Sequence, residues 1–152
     1  MVKKTAFTLV LIVFLTAVYS HGNAKDVPLK DINELLSEQP SITSMKQTGE
    51  RELVQFMGLD ASQYSEFIYY QGTEALSVDE LLIIKAKHRD DLSGVKDAVD
   101  KRIEEQIKTF ESYGPVQVSL LKNAVIETKG RYLFYCTGKD AEKYKEVFFH
   151  AI

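Results

Sequence analysis

Several groups of side chains have the types and spacing for chemistry. Ser93-Gly94-Val95-Lys96 and Ser119-Leu120-Leu121-Lys122 both spell S-x-x-K, the arrangement in which a lysine one helical turn away serves a serine nucleophile. The companion motifs of such enzymes are missing, and a short motif of two common residue types recurs by chance, so a catalytic serine is set aside. His88 with Asp90 and Asp91 offers one imidazole and two carboxylates, but no second histidine follows nearby. A protein-built metal site wants three or four converging ligands, so the plainer reading is an exposed loop followed by helix caps, and no metal is expected. Cys136 and His150 could act as a thiol nucleophile and its base. Cys136 alternates with Phe134 and Tyr132, however, which marks it as a small buried hydrophobe whose thiol stays protonated.

Two further groups suit contact rather than bond-making. Asp79 and Glu80 are adjacent in a β-rich run, so they point to opposite faces and cannot share a proton as a catalytic pair would. One of them, with Lys85 or Lys87, could meet a partner; the competing reading is solvation at a strand end or a cross-strand ion pair. Lys85 and Lys87 are expected where that strand emerges into water. Tyr69, Tyr70, Tyr132 and Tyr135, four of the eight tyrosines, fall on expected strands. Tyrosine joins a large apolar area to a polar tip, which suits a binding surface and equally suits the roof of a sheet edge.

The elements that must position these groups follow from periodicity. Leu81-Leu82-Ile83-Ile84 is a short apolar run flanked by charge, as in a strand covered on both faces. Alternation sends Leu82, Ile84 and Ala86 one way and Leu81, Ile83 and Lys85 the other. Phe67-Ile68-Tyr69-Tyr70 precedes it as an antiparallel neighbour. Val95, Val99, Ile103, Ile107 and Phe110 then mark one face of a helix that starts near Asp90 or Asp91. Asp97 to Lys101 and Glu104 to Lys108 have the spacing of helical ion pairs on its outer side. Gly114-Pro115 breaks it, and one or two further turns follow to Asn123.

The last third repeats the pattern. Two β-rich runs flank Lys129-Gly130 as a hairpin, Thr137 and Asp140 have capping-box spacing, and a helix carries Ala141, Tyr144, Val147, Phe148 and Ala151 on one side. Upstream, Pro28 opens a short helix that ends before Pro40, Ser41 to Thr48 reads as a polar connection, and Glu50 to Met57 reads as a second helix capped by Gly58. Two strand–strand–helix units give an α+β domain, with an antiparallel sheet of about four strands covered by helices.

Met1-Val2-Lys3-Lys4 followed by apolar Thr5 to Tyr19 has the form of a secretory signal peptide, with cleavage after Ser20 or Ala24 and residues 25–152 as the remaining domain. The alternative is an uncleaved N-terminal anchor, the membrane being reached through this segment alone. The 152-residue chain carries a formal charge of −3, which becomes −5 once Lys3 and Lys4 are removed. Such a surface has no electrostatic reason to bind nucleic acid. One cysteine excludes an intramolecular disulfide. No phosphate loop or dinucleotide fingerprint occurs, and no cofactor is expected.

A resemblance appears in Asp60-Ala61-Ser62-Gln63-Tyr64, in Ser77-Val78-Asp79-Glu80-Leu81-Leu82-Ile83-Ile84-Lys85-Ala86-Lys87, in Val99-Asp100-Lys101-Arg102-Ile103-Glu104-Glu105-Gln106, in Tyr113-Gly114-Pro115-Val116-Gln117, and in Leu120-Leu121-Lys122-Asn123-Ala124. Together they resemble a family of small extracytoplasmic bacterial proteins of unknown function, many of them lipoproteins, over residues 25–152. This chain lacks a lipidation cysteine. The resemblance implies an exported small domain and brings no catalytic residue with it. The expectation is a secreted or extracytoplasmic module that binds a protein, peptide or envelope component through a sheet face or edge. The alternative is a small metal-dependent or thiol hydrolase, which requires at least two of His88, Asp90, Asp91, Cys136 and His150 in one cleft.

Overall fold

A computed structural model describes the backbone of residues 2–22 and 24–152 and the side chains of residues 6–16 and 24–152. The fold is α+β, and its sheet has five strands where about four are expected. The elements run α1 (Val2–Gly22), α2 (Leu29–Ser37), β1 (Met45–Thr48), α3 (Glu50–Glu52) continuing into a π-helical turn (Leu53–Met57), β2 (Tyr64–Gly72), β3 (Glu80–Ala86), α4 (Leu92–Phe110), α5 (Pro115–Lys122), β4 (Val125–Lys129), β5 (Tyr132–Thr137) and α6 (Ala141–Ala151). All neighbours are antiparallel, in the order β1-β2-β3-β5-β4.

The extra strand is β1, inside the segment expected to be a polar connection. It lacks an apolar run because it is a four-residue edge strand with only Met45 buried. Its pairing to β2, Met45 with Gly72 through Thr48 with Tyr69, creates the strand.

β3 is the centre of the sheet and is buried along its whole length. Its two faces enter two cores, and the expected alternation holds. Leu81 and Ile83 pack with Ile68, Tyr70, Phe134 and Cys136 beneath α2 and α6. Leu82 and Ile84 pack with Tyr69, Leu133 and Tyr135 beneath α4 and the π-helical turn. Each fully buried Leu or Ile contributes about 1.5–3 kcal/mol, so the four in this strand together contribute roughly 6–12 kcal/mol. A third, smaller cluster of Val78, Phe110 and Leu121 joins the end of α4 to α5.

The connections follow local chemistry. Gly58 ends the π-helical turn at φ 67°. Gly130 and Arg131 form the β4–β5 loop, one residue later than the expected Lys129-Gly130 pair, and Gly130 supplies a φ of 58°. Along α4 the ion pairs are Lys96 with Asp100 at 2.8 Å and Lys101 with Glu105 at 3.8 Å, rather than the two expected pairs. The expected capping box at Thr137 does not form: Asp140 makes no capping bond, and the Thr137 hydroxyl is committed to β3.

α1 presents Phe7 and Leu9 to Leu15 to solvent, so these side chains join neither core. Among the described residues no helix is long and apolar enough to cross a membrane. Lys3, Lys4 and the cleavage candidate Ser20 lie outside the described side chains.

Candidate functional site

Glu80 opens β3 and pairs with Thr137, the last residue of β5. The Thr137 hydroxyl accepts the Glu80 N–H at 3.0 Å and donates to the Val78 carbonyl, so the two strand ends are locked together. The Glu80 side chain turns inward and is 3 % exposed. Its carboxylate accepts from Arg102 Nη2 at 2.8 Å and Nε at 3.2 Å, from Tyr69 at 3.0 Å, from Tyr135 at 3.1 Å and from Gln71 Nε2 at 3.3 Å. Burial, reinforced by the Glu80 charge, raises both tyrosine hydroxyls far above their ordinary range, so both remain donors. With both carboxylate oxygens engaged and Arg102 reaching water along one side, this cluster is a largely buried bolt between α4 and the sheet.

The opposite end of β3 carries a second polar cluster. Lys85 is 7 % exposed, which corrects the expectation that it emerges into water. It pairs with Asp26 at 2.8 Å and Glu66 at 3.0 Å and donates to the Val27 carbonyl at 3.0 Å. Burial lowers its pKa, but its carboxylate partners outweigh that and hold it above the ordinary lysine value. Tyr132 clasps the same segment, donating to Val27 O at 2.7 Å and accepting from Val27 N at 2.9 Å. Arg131 adds a bond to Asp26 at 3.1 Å. These contacts moor residues 26–27 to the sheet. Lys87 lies past the strand, exposed, with its ammonium on the Ser62 carbonyl.

The tyrosines therefore form no surface: Tyr69, Tyr70, Tyr132 and Tyr135 are all buried, because both faces of the sheet are covered. The groups that suited bond-making chemistry do not converge. Cys136 is fully buried, and burial, with the charges of Asp79, Asp140 and Glu80, raises its thiol well above the ordinary value. His88 is exposed before α4, where Asp91 accepts its backbone N–H at 3.0 Å, and His150 is exposed on the last turn of α6. Ser93 and Lys96 bond to Asp90 and Asp100 respectively. Among the described residues no group of three His, Cys, Asp or Glu side chains is placed to hold a metal ion.

Where the strands end beyond Glu80 and Thr137, a cleft of about 360 Å³ opens. Ser41 and Ser44 reach it from before β1, Glu74, Leu76, Ser77 and Asp79 from the β2–β3 loop, Gln117 and Leu120 from α5, Gly138 to Asp140 from the β5–α6 loop, and Tyr144 from α6. Tyr144 donates to Ser41 Oγ at 2.7 Å, and Gln117 Nε2 ties α5 to the Leu76 carbonyl at 3.3 Å. Gly138 has φ 118°, and a Cβ there would stand 2.6 Å from Asp79 Oδ1, so the floor closes only around a glycine. Asp79 and Glu80 are thus divided as alternation requires, one lining the cleft and one beneath it. A second hollow of about 470 Å³ runs beside α2 and the first half of β2, with Lys30, Glu50 and Phe67 in its wall.

Of the expected site residues, only Asp79 lines the cleft. Its hydroxyls, Lys139, Asp140 and Gln117 were not legible, being ordinary loop and helix residues until the fold gathers them. Arg102 did leave a signal: it falls on the α4 stripe between Val99 and Gln106, both buried, where a charge needs a partner.

A family described as Domain of unknown function (DUF4358) matches residues 39–138. That span runs from the turn before β1 to the end of β5 and excludes α2 and α6, which is shorter than the resemblance over residues 25–152. No curated protein and no solved structure matches the chain.

Proposed function

We propose, for a chain that belongs to the DUF4358 family of domains of unknown function, an exported binding module whose ligand enters the cleft beyond Glu80 and Thr137. The observation that carries this is the cleft itself, where hydroxyls, carboxylates, an amide and one ammonium from five separate segments surround one volume. The two polar clusters at the ends of β3 are consumed by the fold, whereas Glu74, Asp79, Lys139 and Asp140 make no side-chain hydrogen bond or ion pair among the described residues and are available to a ligand. Contact is favoured over bond-making because Cys136, His88 and His150 occupy separate places and, among the described residues, no cleft hydroxyl is hydrogen-bonded to a histidine, lysine or carboxylate side chain. Export is supported by the positive start of the chain and by the apolar run of α1, whose Phe7 and Leu9 to Leu15 are exposed to solvent.

The test is in vivo photo-crosslinking of the full chain, with a benzophenone amino acid at Ser44 in the cleft or at Lys101 on the exposed face of α4. A discrete adduct from position 44 and none from position 101 is expected; no adduct from the cleft refutes the site. A C-terminal alkaline phosphatase fusion, active only where its disulfides form, checks export, and an inactive fusion refutes it.

A further inference from the structure

The cleft is charged unequally, and its rim is apolar. Glu74, Asp79 and Asp140 stand against Lys139 alone, three carboxylates to one ammonium, a net of two negative charges. None of the four makes a hydrogen bond or ion pair through its side chain among the described residues. In a half-open cleft, uncompensated carboxylates still set up a negative potential, and a cation is what they complement. Leu76, 58 % exposed, stands over one side of the cleft. Val116, 60 % exposed, lies one turn before Leu120 on the same face of α5, and Leu120 is in the cleft wall. Two large aliphatic side chains thus stand in water beside an anionic hollow, with Gln117 tying their segments together.

We propose that the occupant of the cleft is a peptide segment with a lysine or arginine side chain that enters between Asp79 and Asp140, and an adjoining apolar residue that covers Leu76 and Val116. The proposal rests on the reading of the cleft as the binding site and names what it binds. A basic side chain supplies both what the hollow lacks and the aliphatic stem that the rim can cover. A hydroxyl is available beside the charge, since Ser41 accepts from Tyr144 and keeps its own proton to donate.

The experiment is a titration of the isotope-labelled full chain, followed by amide shifts, with acetylated and amidated five-residue peptides of alanine and leucine carrying a central lysine, glutamine or glutamate. The lysine peptide is expected to move the amides of Gly138, Lys139 and Asp140, to weaken as salt is raised, and to bind tighter than the other two. Asp79→Asn and Asp140→Asn are each expected to weaken it roughly tenfold, as loss of one charge-assisted contact does, while Leu76→Ser weakens lysine and glutamine peptides alike. Asp140→Asn keeps the test intact should Asp79→Asn fail to fold, because Asp140 makes no side-chain bond. Equal binding of the glutamine peptide at the same amides overturns the cationic class and leaves the cleft as a binding site. Shifts produced by spermidine and by no peptide overturn the peptide occupant. Shifts confined to amides outside the cleft, or none with any probe, overturn this proposal together with the site.

Discussion

Replacing Arg102 with methionine removes the cation that holds Glu80 while keeping a side chain long enough to cover Phe56, whose ring lies 5.1 Å from the guanidinium carbon. Stripping one partner from a buried ion pair costs about 3–5 kcal/mol. The lower end applies, since three neutral donors remain on the Glu80 carboxylate and the Arg102 side chain is 18 % exposed, so water already screens part of the attraction. The expected loss of about 3 kcal/mol is a large share of the 5–15 kcal/mol that holds a domain together. At roughly 3–4 °C per kcal/mol for a chain of this length, the Tm falls by about 10 °C. Urea unfolding followed by circular dichroism measures it, since the chain has no tryptophan to report by fluorescence. In the double variant Glu80→Gln/Arg102→Met neither charge is left stranded, and the two losses are expected to fall short of additivity by about 2 kcal/mol. A loss under about 1 kcal/mol for Arg102→Met, or an additive double variant, means that the pair behaves like a surface pair and refutes the reasoning.

The mooring at the other end of β3 has a pH signature. Asp26 is held below its ordinary 3.8, first by the hydrogen bond and charge of Lys85, so its contribution is present above that value and lost as pH falls through the depressed pKa. Lys85, held above 10.5, contributes fully below that value and loses its contribution as pH rises past it. Urea midpoints between pH 2 and 6 are expected to fall with acid in the parent chain and to fall less in Asp26→Asn. Tyr132→Phe breaks both bonds to Val27 and is expected to cost about 1–3 kcal/mol, with faster hydrogen exchange at Val27 as the local readout. Gln106 Oε1 is buried with no hydrogen-bond partner among the described residues, so Gln106→Leu is expected to raise stability by about 1 kcal/mol in urea unfolding. Cys136 is expected to resist a thiol-reactive disulfide reagent at pH 8 in the native chain and to react at once in denaturant; equal rates refute its burial.

What the amino-acid order alone determined is what local periodicity encodes. The alternation in β3 separates Leu81 and Ile83 from Leu82 and Ile84, and the two cores keep that division. The stripe on α4, the break at Gly114-Pro115 and the hairpin glycine at 130 are equally local, each being a property of a few consecutive residues. Tertiary structure decided the rest. β1 becomes a strand only because β2 pairs with it, and the tyrosines become core only because helices cover both faces of the sheet. Lys85 looked like a strand end because its carboxylate partners, Asp26 and Glu66, lie 59 and 19 residues away. The cleft draws on segments from Ser41 to Tyr144, and no short-range pattern records which loops a folded chain will bring to the same place.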